Sequence, residues 1–256
     1  MPAAANARST VKWAEQHLLA LDGVTKRVRR GRREHVVLDD VTIHVEPGEL
    51  VAVWGPPRSG RTTLLRVAAG LERPDAGAVR FDGVELARRR ELCDGIGFVQ
   101  PSALANSGQP ILDHVAMPLL ARGVAPAEAR RRAWAELERV GAAACSRLLG
   151  HDLRTSELVR VAIAEAVVAM PRLLLVDDPT RQVYAHERAP VFALLRAIAD
   201  SGTAVLMVTG DAMGVSCADR AMTIGDGVVH VGPVAQPAPV IPLRRASEAT
   251  ALSGRP

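Results

Sequence analysis

Two short stretches of this chain carry residue types whose spacing suits phosphate chemistry. The first is Gly55, Pro56, Pro57, Arg58, Ser59, Gly60, Arg61, Thr62 and Thr63, which fits GxxxxG(K/R)(S/T). Its glycines let backbone N–H groups curl round a phosphate at a helix start, and the Thr62 hydroxyl can reach a magnesium ion. The second is LLLVDDPT, residues 173–180, an apolar run that ends in two acids. Asp177 suits a magnesium ligand, and Asp178 stands where a base for an attacking water would sit. Either stretch alone could be a tight turn or a pair of surface acids. Together, in this order and each after an apolar strand, they point to phosphate binding with a metal.

The elements that must position these residues follow from the hydrophobic pattern. VTIHV (41–45) alternates as a strand, the turn residues Pro47 and Gly48 follow it, and LVAVW (50–54) reads as a buried strand leading into the glycine loop. A helix is expected from Thr62 until Gly70 stops it. Phe81, Asp82 and Gly83 mark a strand end and turn, and GIGFV (95–99) reads as a further buried strand. Residues 111–170 instead show helical periodicity. Pro126 opens one helix, with Arg130, Arg131 and Arg132 on a solvated face opposite Ala133, Leu137 and Val140. Strands return at 173–177 and at AVLMVT (204–209), with a helix near 187–200 between them. Short apolar strands alternating with helices argue for an α/β fold around a mainly parallel sheet covered on both faces. The expected organisation is a flexible arm at 1–16, a folded domain at 17–232 with a helical part at about 101–170, and a disordered Pro/Ala/Ser-rich tail at 233–256.

Composition excludes several classes. The 256 residues are 48% hydrophobic and 23% charged, ordinary for a folded chain. No apolar run approaches the roughly 18–20 residues of a membrane span. The start, MPAAANARST, has no basic segment followed by an apolar block, so no secretory signal is expected. Cys93, Cys145 and Cys217 form no CxxC pair and suit reduced thiols. The net charge of +4 comes with only 3% aromatics, too few for a nucleic-acid binder. The seven histidines show no metal-ligand spacing, and His186, although near the acidic strand, is expected on the next loop or helix. Trp54 is expected to pack within its strand rather than to stack on a base.

With these motifs in place the chain resembles the ATP-binding subunits of ABC transporters, of the lipoprotein-release and macrolide-export type. The resemblance spans about residues 18–232. It includes VTKR (24–27), LDDVTIHVEPGE (38–49), LERPDAGAVRFDG (71–83), IGFV (96–99), VAMPLLARGV (115–124), RVAIAEAV (160–167) and VLMVTGD (205–211). It implies a P-loop NTPase of ABC type: a mainly parallel core sheet, an antiparallel β layer and a helical subdomain that docks on a membrane-spanning transporter subunit. It implies ATP and Mg²⁺ as cofactors and a second ATP-binding chain as head-to-tail partner. In such a dimer, ATP lies between one chain's phosphate loop and the other's signature loop. No nucleic-acid partner is implied. The place implied is the cytoplasm, at the inner face of the plasma membrane.

The departures from that family bear on the chemistry. Arg61 replaces the loop lysine, and its planar fork does not place a compact charge between phosphates. Val28 replaces the aromatic that stacks on adenine, so weak nucleotide affinity is expected. Pro101 falls at the coupling-glutamine position and Gln100 lies one residue early, expected on the opposite strand face. Counting back from RVAIA, the signature LSGGQ reads Leu153, Arg154, Thr155, Ser156 and Glu157. With RTSEL (154–158) read as the stretch just before it, the signature is deleted, and either way no Ser-Gly-Gly remains. The catalytic glutamate is shortened to Asp178, and misplacing a base by about 1 Å can cost on the order of 100-fold in rate. The next loop reads Arg181, Gln182, Val183 and Tyr184 where an aspartate is usual, and the switch histidine is Gly210. The expected function is a degenerate ATP-binding component with weak nucleotide binding and little hydrolysis. Two alternatives are an active exporter ATPase and a scaffold that no longer binds nucleotide.

Overall fold

The structure is a computed structural model, and it describes residues 17–31, 33–86, 94–104 and 108–231. The arm at 1–16, the tail at 233–256 and Cys93 lie outside the described residues.

Strands β1 (Leu19–Arg30) and β2 (Arg33–Val45) form a long antiparallel hairpin, with Leu19 opposite Val45 and Val28 opposite His35. Strand β3 (Leu50–Trp54) leads through the glycine loop into helix α1 (Arg61–Ala68). Strands β4 (Ala76–Phe81) and β5 (Val84–Glu85) complete an antiparallel sheet of order β2-β1-β4-β5. After β6 (Ile96–Val99) come α2 (Pro101–Leu104), α3 (Ile111–Ala121), α4 (Pro126–Arg139) and α5 (Thr155–Val167). The chain then alternates β7 (Leu173–Asp177), α6 (Ala185–Asp200), β8 (Ala204–Thr209) and α7 (Ala212–Ser216). It ends in β9 (Arg220–Gly225) and β10 (Val228–Val231).

The second sheet has the order β10-β9-β3-β8-β7-β6 and is parallel except for its edge strand β10. Side chains on a strand alternate between faces, and this sheet divides two cores by that rule. Leu50, Ala52, Leu174, Val176, Val205 and Met207 belong to the core shared with helices α3 to α6. Val51, Val53, Leu173, Leu175, Leu206 and Val208 belong to the core shared with α1 and the antiparallel sheet. Burial on both faces is why these strands read as continuous apolar runs. The fold is therefore the ABC-type α/β cassette, with parallel and antiparallel layers.

Register sets the site. Strands β3, β8 and β7 are neighbours, pairing Trp54 with Thr209 and Asp177 with Val208. Their carboxyl ends carry the glycine loop, Gly210 and the two acids, so three segments distant in sequence converge at one sheet edge. Ligand sites of open α/β sheets lie at such edges.

Candidate functional site

The glycine loop is held from both sides. Gly55 N–H donates to Thr209 O (3.3 Å), Ser59 N–H to Pro56 O (3.3 Å), and Gly227 N–H to Ser59 O (3.3 Å). Gly60 has φ 101°, and a Cβ there would lie 2.5 Å from Val37 O of β2. Only glycine lets the backbone pass this close in this conformation. The loop borders a cavity of about 860 Å³ whose wall includes Arg58, Gly60, Arg61, Thr62, Asp177 and Asp178.

At the floor, the Thr62 hydroxyl donates to Asp177 Oδ1 at 3.3 Å. Burial pushes the Asp177 carboxyl above its ordinary value, the Thr62 hydroxyl opposes that, and neighbouring Asp178 adds to it. A divalent cation here would reverse the shift, because it favours the ionised form. Ser59 Oγ and Arg61 Nη1 are buried without a hydrogen-bond partner. The unsatisfied Ser59 hydroxyl, beside a cradle of backbone N–H groups, is what an anionic ligand would complete. These residues fit a nucleotide's phosphates with a metal between Thr62 and Asp177.

The remaining groups are tied to one another. Arg61 Nη2 lies 3.0 Å from Asp178 Oδ2, with side chains only 11% and 14% exposed. Asp178 Oδ1 accepts the Gly210 N–H at 3.3 Å. Asp178 has a left-handed backbone, φ 45°, and its own N–H donates to Val208 O at 2.9 Å. A Cβ on Gly210 would come within 3.1 Å of Arg61 Nη1. Arg61, Asp178 and Gly210 are thus in mutual contact: the arginine reaches the acid across space that a side chain at 210 would take.

The start of α5, where the signature was expected, is closed in the same manner. Glu157 Oε2 accepts the Arg154 N–H (2.9 Å), and Oε1 accepts from the Arg154 guanidinium (2.7 Å). That side-chain bond is the larger cause holding the Glu157 carboxyl below its ordinary value, with the backbone bond second. Ser156 donates to Glu187 Oε1 of α6 at 2.9 Å. A negative charge already occupies the helix N-terminus that an incoming phosphate would need. Thr155 and Val159 line this chain's own cavity, although their stretch was expected to face a partner's.

The structure corrects the expectation for Gln100. It and Pro101 both line the cavity, because β6 ends at Val99 and strand alternation no longer applies beyond it. Trp54 sits within the sheet between Thr209 and Thr223. His186 lies in the first turn of α6, exposed and stacked on Tyr184 at 6.0 Å, outside the cavity wall. Asp211, next to Gly210, caps α7 through the Met213 N–H (3.0 Å) and accepts from Thr180 and Arg188.

Sequence reading named Arg58 with the loop but not its backbone, and it missed His35. Arg58 has φ 71°, a conformation costing an ordinary L-residue about 1–2 kcal/mol. The motif leaves the residue type at this position free, so no pattern signalled that conformation. His35 lines the cavity from β2, directly across the hairpin from Val28. Its signal was the strand register, which a motif search does not contain.

Comparison with known proteins agrees with this geometry. The family described as ABC transporter matches residues 38–181. The lipoprotein-releasing system ATP-binding protein LolD of Chromohalobacter salexigens is 38% identical over 217 residues, 82% of this chain and 92% of that protein. The cell division ATP-binding protein FtsE of Escherichia coli is 32% identical over 84% of this chain and 98% of its own length. A dimeric ATP-binding cassette solved in a post-hydrolysis state with ADP and Pi superposes with a TM-score of 0.76 at 25% identity, covering 83% of this chain and 98% of that one. The chain belongs to the ABC transporter family, as an ATP-binding component.

Proposed function

We propose that this chain is a degenerate ATP-binding component of an ABC transporter, one that binds Mg·ATP weakly, hydrolyses it little, and acts through its partners. The observation that carries this reading is the Arg61–Asp178 ion pair, which neutralises the loop cation and the base position in each other. Bound Mg·ATP would bring the phosphoanhydride bond to be cleaved and a cation that neutralises phosphate charge. The chain's own residues then divide the work. Loop N–H groups between Arg58 and Thr63 would hold the phosphates, Thr62 and Asp177 would hold the metal, and His35 offers a ring near the place Val28 leaves bare. Asp178 cannot serve a water while it accepts from Arg61 and Gly210. No imidazole stands at 210 to hold a water or a γ-phosphate oxygen in place.

The family's head-to-tail dimer gives these changes a wider reach. Asp178 and Gly210 bear on the chain's own site, whereas 153–157 would bear on the partner's. Paired with itself, the chain impairs both sites twice. Paired with an intact ATP-binding chain, it still leaves neither site whole. Its proposed place is therefore a dimer partner or regulator on a membrane-spanning subunit, at the cytoplasmic face of the plasma membrane. Among the described residues no helix is long and apolar enough to cross a membrane.

The test is calorimetric titration with Mg·ATP alongside phosphate release, with a Thr62→Ala, Asp177→Asn double variant as blank. Weak binding with background release supports the proposal. The Thr62–Asp177 pair favours a second reading, an active exporter ATPase. Turnover of about one per second or more, abolished in the blank, would establish that reading instead.

A further inference from the structure

Three arginines line the cavity: Arg58, Arg61 and Arg181. Their surroundings separate them. Arg61 is largely buried, and Asp178, itself largely buried, is its partner at 3.0 Å. Withdrawing Arg61 from that pair would leave a carboxylate uncompensated in a low-dielectric site, which is strongly unfavourable. Arg181 follows Asp178 by one turn, its N–H donating to Asp178 O at 3.2 Å, and its positive field acts on Asp177. Arg58 is different. It stands exposed in the phosphate loop, two residues before Gly60. Its side chain makes no hydrogen bond or ion pair among the described residues. It also holds a left-handed backbone, φ 71°, that disfavours a bulky residue. Strain of this kind persists where the surrounding structure enforces it, and it clusters at ligand sites.

Resting on the nucleotide reading above, we propose that Arg61 is a strut of the folded site and that Arg58 is the cation that meets a nucleotide's outer phosphates. The chemistry is direct. A guanidinium offers a planar fork of N–H donors that pairs with phosphate oxygens in bidentate fashion. Arg58 brings that fork to the loop whose backbone N–H groups face the same anion, and among the described residues no acid pairs with it.

Calorimetric titration of the full chain with Mg·ATP, together with thermal melts of the ligand-free protein, tests both halves. Arg58→Gly is expected to weaken binding about 10-fold or more, and Arg58→Lys to weaken it less. The same glycine should raise the melting temperature by about 2 °C, because it relieves the left-handed strain. A merely structural arginine would lose stability and affinity together. Asp178→Asn, which frees Arg61, should tighten binding. In the ligand-free protein, Arg61→Met and Asp178→Asn should be strongly non-additive in melting temperature, as partners in a buried pair are. Unchanged affinity in Arg58→Gly, with affinity lost in Arg61→Met, would overturn the assignment while leaving nucleotide binding intact. No binding by the wild type would sink the nucleotide reading and Arg58's role together. Additive melts at 61 and 178 would refute the strut whatever the titration shows.

Discussion

Replacing Gly210 by alanine adds one carbon, and that carbon would sit 3.1 Å from Arg61 Nη1. The nitrogen is buried and has no hydrogen-bond partner. The guanidinium must therefore move by a few tenths of an ångström, stretching its 3.0 Å bond to Asp178. Overpacking of this kind costs about 1–3 kcal/mol. Gly210 does not have a left-handed backbone, so alanine also recovers about 0.4–1 kcal/mol of unfolded-chain entropy. The net is a loss of about 0.5–2 kcal/mol, a fall of about 1–8 °C in melting temperature for a domain of this size. In an Arg61→Lys background there is no Nη1 to meet. The same substitution should then be neutral or raise the melting temperature by about 2 °C. Four ligand-free proteins, melted by circular dichroism, complete the cycle. An equal fall in both backgrounds, or a rise in the wild type, refutes the interlock of 61, 178 and 210.

Three further outcomes are expected. Phosphate release by Asp178→Glu should remain at background, since Arg61 still holds the carboxylate and 210 still lacks a side chain; recovery to about one turnover per second would contradict this. His114 bonds Glu165 across α3 and α5 (3.3 Å), which raises its imidazole above its ordinary value against the pull of burial. That contribution is complete below the unfolded value, about 6.5, and is lost as pH rises through the folded one. Melting temperatures across that window should show the loss in the wild type and not in His114→Gln. Removing the side-chain bond with Arg154→Ala should move the Glu157 carboxyl back toward its ordinary value in an NMR titration; an unmoved titration would show that the guanidinium is not its main partner.

Much of the fold was legible because its strands are short, apolar and buried on both faces. LVAVW, LLLVD and AVLMVT coincide with β3, β7 and β8. The hairpin was read short: only 41–45 alternates cleanly, whereas β2 begins at Arg33 because much of its first half is exposed and imposes no apolar period. The identities at 61, 178 and 210 were legible, and their contact was not. It depends on β3, β7 and β8 being adjacent and in register, a tertiary fact absent from any one segment. Gln100 shows the opposite error. A strand rule was carried one residue past the strand, and the backbone there had already turned into α2.

The polar groups of the site also bear on the proposed loss of hydrolysis. Deleting one partner of a buried pair leaves a costly unpaired group, so isolated changes at a catalytic site normally leave orphans. Here most of the groups at these positions pair with one another, Asp178 with Arg61 Nη2 and Gly210, and Glu157 with Arg154, while Arg61 Nη1 is left without a partner. Neighbouring groups are engaged as well, Ser156 with Glu187 and Asp211 with Thr180 and Arg188. Such closure stabilises the ligand-free state, and a ligand that must open it binds more weakly by the same free energy. On the proposed function, weak nucleotide binding and a stable fold would have one cause. The two should therefore move in opposite directions when the ion pair is weakened, for instance in Asp178→Asn. A site that had merely lost its function would show no such opposition.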